Sequence, residues 1–591
     1  MRIPKIVPWK VAALMATVVL ATSAEARAES VPDDGPRFLP DATLPLAATP
    51  SDGVEGEIVV DLRNDTTDAD VADLSREYGI DLRPNSVFSG AERIERAVVA
   101  SPSAVASLLA RLRGDRRVEH AEPMAMLGAY FVPDDPLYAT KQWHLTRVGA
   151  ETAWNFGCGQ GVTVAVIDTG VACYDKGPFM RGTDLGGTRC VPGYNFVDDS
   201  EDAYDDQGHG THVAGTIAQT THNAKGVAGL AYCARLMPVK VLTKSGWGTV
   251  ADVAEGVRFA ADHGADVINL SLGSPVASSV LEDAIRHALD KGVTVVAAAG
   301  NTGRGVGYPA AYPDVLAVSA TDANDKIAWF SSRGREVSLA APGVSVTQQT
   351  VCDGGKNKCE LFGTFQGTSM AAPHVAGVAA MVVGMGVTGR TAVRDVLLGT
   401  ARPKEGAELY GAGIVDASTA VLHVFWRKLA LRFVVLALVA AWVRRRITRR
   451  GGEFAIGTGE VAAALVAGTG LLPFLPLFGL APRLGTSRLT LDLLARPFGE
   501  WDLAIGTGLH GWLPFASALP VVLGTVLFFG VKRLRPTLGA FAVGASAYLF
   551  ALAVAGGVAT PLGDFGTRVF AVANALVCVW IARIALDTKR A

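Results

Sequence analysis

Three polar side chains that together make a complete acyl-transfer device stand in three short glycine-flanked motifs: Asp168 in VAVIDTG, His209 in GHGTHVAG and Ser369 in GTSMAAPHVAG. A serine hydroxyl is a weak nucleophile near neutral pH. An imidazole beside it takes its proton, and a buried carboxylate on the far ring nitrogen holds that imidazole in the productive tautomer. Each motif alone has a plainer reading, as a strand-end cap, a loop histidine or a chance Gly-Thr-Ser. All three, in the order acid, base, nucleophile, point to hydrolysis through a covalent acyl intermediate.

The flanking residues say how such groups would be positioned. Thr163 to Ile167 is a β-branched apolar run, which predicts a buried parallel strand delivering Asp168 to its C-terminal end, where open α/β sheets carry their sites. Gly208 and Gly210 allow a tight turn around His209, and Val213 to Ile217 continues as a buried helix. A zinc reading of HGTH lacks the HExxH spacing and its glutamate base. Ser369 opens a small-residue helix through Val375 to Met381, whose N-terminal N–H groups suit an oxyanion. A second apolar run, VTVVAAAGN, closes on Gly300 and Asn301.

From about Asp135 to Ala420 these motifs resemble those of the subtilisin-like serine proteases, the subtilases. The resemblance implies an α/β fold with a parallel sheet flanked by helices, His209 rather than His212 as base, and the Asn301 amide as oxyanion donor. It also implies that substrate adds as a strand between Ser271, Leu272 and Gly273 on one side and Gly246, Trp247 and Gly248 on the other. Gly307, Tyr308 and Pro309 match the floor of the pocket for the side chain before the scissile bond. No acid marks that pocket, so an apolar side chain is expected there.

The 591 residues predict roughly four domains. Residues 1–28 carry basic residues, an apolar run from Val11 to Ala21 and Ala26-Arg27-Ala28, the pattern of a secretory signal peptide. Within residues 29–127, Glu57 to about Leu127 alternates in a βαββαβ rhythm that resembles the inhibitory propeptide of subtilases, an adaptor domain being the alternative. The peptidase domain is placed at 128–424. Six of its cysteines suit an exported chain. Cys158 and Cys233 each precede a strand, so parallel neighbours would pair them; Cys352 and Cys359 flank a turn, which leaves Cys173 with Cys190. Asp198, Asp199, Asp202, Asp205 and Asp206 form an acidic loop that would either bind a structural calcium, through Asp198, Asp199 and Asp202, as several subtilases do, or be solvated. The triad chemistry itself requires no cofactor.

Beyond residue 424 the chain turns apolar, with runs at Val421–Val443, Val461–Ala481, Trp512–Val531, Leu538–Val558 and Val569–Leu586. Most approach the ~20 residues needed to cross a bilayer, so 425–591 is expected to form an all-α transmembrane bundle of about five helices. The first is the weakest span, because Arg427, Lys428 and Arg432 would have to snorkel outward. Five spans place the arginines of 444–450, Lys532, Arg533, Arg535, Lys589 and Arg590 inside, and only Arg483, Arg488, Arg496 and Arg568 outside, which obeys the positive-inside rule. The expected protein is multi-pass in a bacterial-type cytoplasmic membrane, with the protease on the extracytoplasmic side. Its expected partners are a protein or peptide substrate, membrane lipid and its own propeptide. The net charge of −2 and the lack of a basic stretch in the protease region offer nothing to nucleic acid. A membrane receptor or transporter whose protease-like ectodomain binds or processes a partner is the alternative.

Overall fold

The computed structural model describes residues 53–86, 89, 93–99, 104–125, 132–174, 176, 184–351, 361–454, 457–478, 488–501, 516–555 and 563–587. The signal segment and the Cys352/Cys359 pair lie outside them. The chain divides into two units, 1–128 and 129–591.

The first unit follows the βαββαβ expectation: β1 (Gly53–Leu62), α1 (Asp68–Tyr78), β2 (Arg83–Pro84), β3 (Ile94–Val98), α2 (Val105–Leu112) and β4 (Val118–Ala125). The strands pair in the order β2-β3-β1-β4, all antiparallel. Alternation in β1 sends Ile58, Val60 and Leu62 to one face, where they bury against Leu74 of α1 and Leu108, Leu109 and Leu112 of α2.

In the second unit a parallel sheet forms around β5 (Thr163–Asp168). β6 (Arg235–Lys240) lies on one side of it. On the other follow β7 (Val267–Leu270), β8 (Thr294–Ala298), β9 (Leu316–Thr321) and β10 (Val337–Pro342). All six residues of β5 are buried, as its unbroken apolar run requires of a strand covered on both faces. The chain leaves β5 toward β6 and returns to β7 on the opposite side, so the sheet has its switch point at the end of β5, where Asp168 stands. α3 (His209–Ala218) and α6 (Thr368–Gly384) cover one face. α4 (Val250–Asp262) and α5 (Ser279–Asp290) cover the other. Every residue of α6 is buried except Ser369.

Two expected disulfides are present, Cys158–Cys233 and Cys173–Cys190, closing loops of 75 and 17 residues. The longer loop removes more unfolded-state entropy, about 4 kcal/mol at 25 °C. A Cys158→Ala/Cys233→Ala variant is therefore expected to melt well below the wild type under oxidising conditions; unchanged melting would mean the bridge contributes nothing.

From residue 417 on, the described residues include α7 (Ala417–Thr448), α8 (Thr458–Gly468), a short helix at Arg488–Ala495, α9 (Leu519–Phe528), α10 (Arg535–Ala555) and α11 (Gly563–Ala585). They depart from expectation in three ways. The boundary placed at 424/425 falls inside α7, which starts in the core of the parallel-sheet unit, with Ala417 N–H donating to Val148 O and Phe425 packed on Phe156 at 5.1 Å, and runs on unbroken. The run Val461–Ala481 is not one helix, because Gly470 takes a φ of +104° and Pro473 and Pro476 follow, so α8 has only 11 residues. Lys428 and Arg432 do not snorkel. Lys428 Nζ donates to Met385 O at 2.6 Å and Gly386 O at 3.3 Å, capping the C-terminal end of α6, and both cations flank Glu500. Among the described residues two helices, within 532–555 and 565–585, are long and apolar enough to cross a membrane.

Candidate active site

β5 ends on Asp168, which is fully buried, and Asp168 Oδ1 accepts from His209 Nδ1–H at 2.7 Å and from Thr169 N–H at 2.8 Å. The imidazole reaches it because α3 begins at His209 directly over the strand end. Gly208, with a φ of +108°, makes the turn, and a β-carbon on Gly210 would lie 2.1 Å from Gly170 O, so only glycine permits the approach.

Ser369 sits in the first turn of α6, where its own N–H has no helical acceptor. Pro373, four residues on, cannot donate to Ser369 O, and Ser271 Oγ takes the place of the missing N–H at 2.8 Å. In return Ser369 Oγ donates to Ser271 O at 3.0 Å. The hydroxyl therefore rests on the end of β7, although the order of the motifs predicts an imidazole as its partner.

Asn301 follows β8. Its Oδ1 accepts from Thr368 N–H at 2.9 Å and from Thr368 Oγ1 at 3.0 Å, while Thr368 Oγ1 accepts from Gly300 N–H at 3.1 Å. This chain fixes the carboxamide and turns Nδ2 toward Gly367, where a β-carbon would stand 3.3 Å from it.

An open cleft brings His209 together with Ser271, Leu272 and Gly273 and with Gly246, Trp247 and Gly248. Val250, Val253, Leu281 and Tyr308 give it an apolar floor. Gly307 is not in its lining but lies against it, with its β-carbon position 3.1 Å from Ser274 O, and the Tyr308–Pro309 peptide is cis.

The profile of the subtilase family (Peptidase_S8) matches residues 159–413. Thermitase from Thermoactinomyces vulgaris is 40% identical over 297 residues, 50% of this chain and 100% of that protein. The chain belongs to the subtilase family. A thermophilic serine proteinase from Bacillus sp. (strain AK1) is 37% identical over 336 residues, covering 56% of this subtilase and 79% of its relative. Subtilisin Savinase from Lederbergia lenta is 43% identical over 281 residues, 47% and 97% of the two chains. The subtilase is a serine endopeptidase.

Burial lowers the proton affinity of His209 in this subtilase, but the charge and hydrogen bond of Asp168 outweigh it and hold the pKa above the ordinary 6.5. A general base must be neutral, and its neutral fraction grows as pH rises through that raised pKa. kcat/KM is therefore expected to climb through an apparent pKa above 6.5; a plateau already reached at pH 6 would rule out this environment for the base.

The acidic residues expected to hold calcium do not converge. Asp198 accepts from Asn195 Nδ2 at 3.0 Å and Asp199 from Tyr194 Oη at 2.6 Å, while Tyr174 and Lys176 take Asp202. Among the described residues no group of three or more His, Cys, Asp and Glu could hold a metal. These three therefore do not fit a calcium site.

Asp205 was legible only as one more acid in that loop. It is buried, and its two oxygens accept from the N–H groups of Gln207, Gly208 and Thr211 and from the hydroxyls of Thr169 and Thr211, at 2.6–3.0 Å. It thereby locks the His209 turn to the end of β5. His212 is buried and stacks on Phe365 with 4.3 Å between ring centroids. Its Nε2–H is shared between Val346 O and Gly363 O, and burial lowers its pKa to about 3. His374 donates Nδ1–H to Met370 O and accepts from His144, tying α6 to the segment Trp143–Arg147.

Proposed function

We propose that this subtilase is an exported, membrane-anchored serine endopeptidase in which Asp168 orients His209, His209 is the base and Ser369 the nucleophile. The observation that carries this reading is the Asp168–His209 contact, with the Asn301 carboxamide pinned to the first turn of α6.

The resting bond from Ser369 Oγ to Ser271 O gives substrate a part in the activation. An extended peptide pairing along Ser271–Gly273 brings a backbone N–H to Ser271 O. Once that acceptor is taken, the hydroxyl turns to His209 Nε2. Oγ then attacks the scissile carbonyl carbon as its proton passes to Nε2, and the oxyanion lies between Asn301 Nδ2 and the Ser369 N–H. Collapse expels the amine, which leaves with the proton from His209. Water repeats the sequence on the acyl-enzyme and frees Ser369. Proton and charge both find protein groups, so the reading needs no cofactor.

Losing one oxyanion donor typically costs 10²–10³ in turnover. Asn301→Ala is expected to lower kcat by about that factor with KM little changed, because Nδ2 serves the tetrahedral intermediate more than the planar ground state. A loss under tenfold would remove Asn301 from the oxyanion site.

Residues 29–127 act in this reading as an inhibitory propeptide, which the antiparallel βαββαβ unit supports. The two long apolar helices and the basic cluster closing α7 support an anchor with the protease outside the cytoplasm. Labelling by a serine-directed fluorophosphonate tests the core of the proposal. Wild type freed of residues 29–127 should react and Ser369→Ala should not; an inert wild type would favour a binding ectodomain instead.

A further inference from the structure

Where the catalytic domain meets α7 and α10, a groove opens that the proteolytic reading leaves unused. One wall is apolar, with Val387, Val396, Leu431, Ala551 and Leu552. The other is charged: Arg427, Lys428 and Arg432 of α7, with Glu500. Glu500 is nearly buried and already engages Arg432 and Lys428, and Lys428 also donates to the two carbonyls at the end of α6. Arg427, on the rim, has no ionic or hydrogen-bonded partner among the described residues. Three cations against one carboxylate leave the groove positive, and its free cation stands beside an apolar wall.

The depth of the groove narrows what can fill it. α10 starts at Arg535, beside Lys532 and Arg533, and reaches the groove only at Tyr548 to Ala555. From Arg535 to Ala551 is ~24 Å of helix, most of a ~30 Å hydrocarbon layer. α7 likewise ends in Arg444–Arg446, the opposite end from Arg427. The groove thus lies level with the outer interface, where an anionic headgroup and its acyl chains meet.

We propose that the groove binds one acidic phospholipid, with its phosphodiester on Arg427, Lys428 and Arg432 behind it, and acyl carbons along Leu431, Val387 and Leu552. This rests on the membrane-anchored reading. Full-length protein in nanodiscs of phosphatidylcholine, with and without phosphatidylglycerol, tests it by native mass spectrometry. One phosphatidylglycerol should stay with each chain in preference to phosphatidylcholine. Arg427→Gln should lower that retention about tenfold, the scale of one lost charge-assisted contact. Arg445→Gln, at the other end of α7, should leave it unchanged. Equal retention of both lipids, or equal loss in both variants, would overturn the proposal, and displacement by inorganic phosphate would reassign the site to a free anion. Release of the full chain by an alkaline wash of membranes would instead defeat the anchoring reading, before any lipid is scored.

Discussion

Ser369→Ala is expected to lower kcat on a peptide substrate about 10⁶-fold, the scale seen when the nucleophile of such a triad is removed. Structurally the change is small. The side chain loses one hydroxyl in the first turn of α6, and its single described acceptor, Ser271 O, opens onto the cleft. Melting should therefore shift little, and KM should stay near wild type, because Ser271–Gly273 and Gly246–Gly248 remain to bind substrate. What survives should be a residual acceleration of roughly 10³–10⁴ over water, from the oxyanion donors and binding alone. A variant within tenfold of wild type in kcat would take the nucleophile's role away from Ser369.

Asp168→Asn should cost about 10⁴ in kcat. Both hydrogen bonds to the Asp168 carboxylate fall on Oδ1, while the buried Oδ2 has no partner. An asparagine oxygen at Oδ1 could keep both, but its amide N–H₂ would then be buried at Oδ2 with no acceptor. The alternative flip aims N–H at His209 Nδ1 and forces the wrong tautomer. Either way the negative charge opposite the imidazolium is lost. Since the Asp168 charge and hydrogen bond hold the His209 pKa up against burial, the pH–rate profile should shift to lower pH as well as lower amplitude. A fall in rate with no shift in the profile would separate Asp168 from the titrating base.

The proposed triad could be read in the sequence because each member is announced by local constraints. An apolar β-branched run makes β5 and delivers Asp168; glycines mark the turn at His209; small residues mark the crowded α6. The βαββαβ rhythm of residues 53–125 was likewise legible from periodicity. What escaped depends on partners far apart in the chain. Glu500 meets Arg432 across 68 residues, and nothing local tells a cation snorkelling to water from one seated on a carboxylate. The clasp between Ser271 and Ser369 spans 98 residues, yet it had a signal in Pro373, whose missing N–H leaves Ser369 O seeking a donor. Asp205 escaped for another reason: an acid that satisfies a turn reads in sequence like one that binds calcium. At 424/425 the composition changes while the helix runs on across it.

That unbroken helix has a consequence for substrate choice. α7 carries the catalytic core into the apolar segments with no loop to swivel on, and Lys428 fastens it to the far end of the helix that presents Ser369. In a membrane-anchored enzyme the cleft is then a blade on a fixed post. It works at one height and one tilt above the bilayer, so a bond is selected by its distance from the surface as well as by the residues around it.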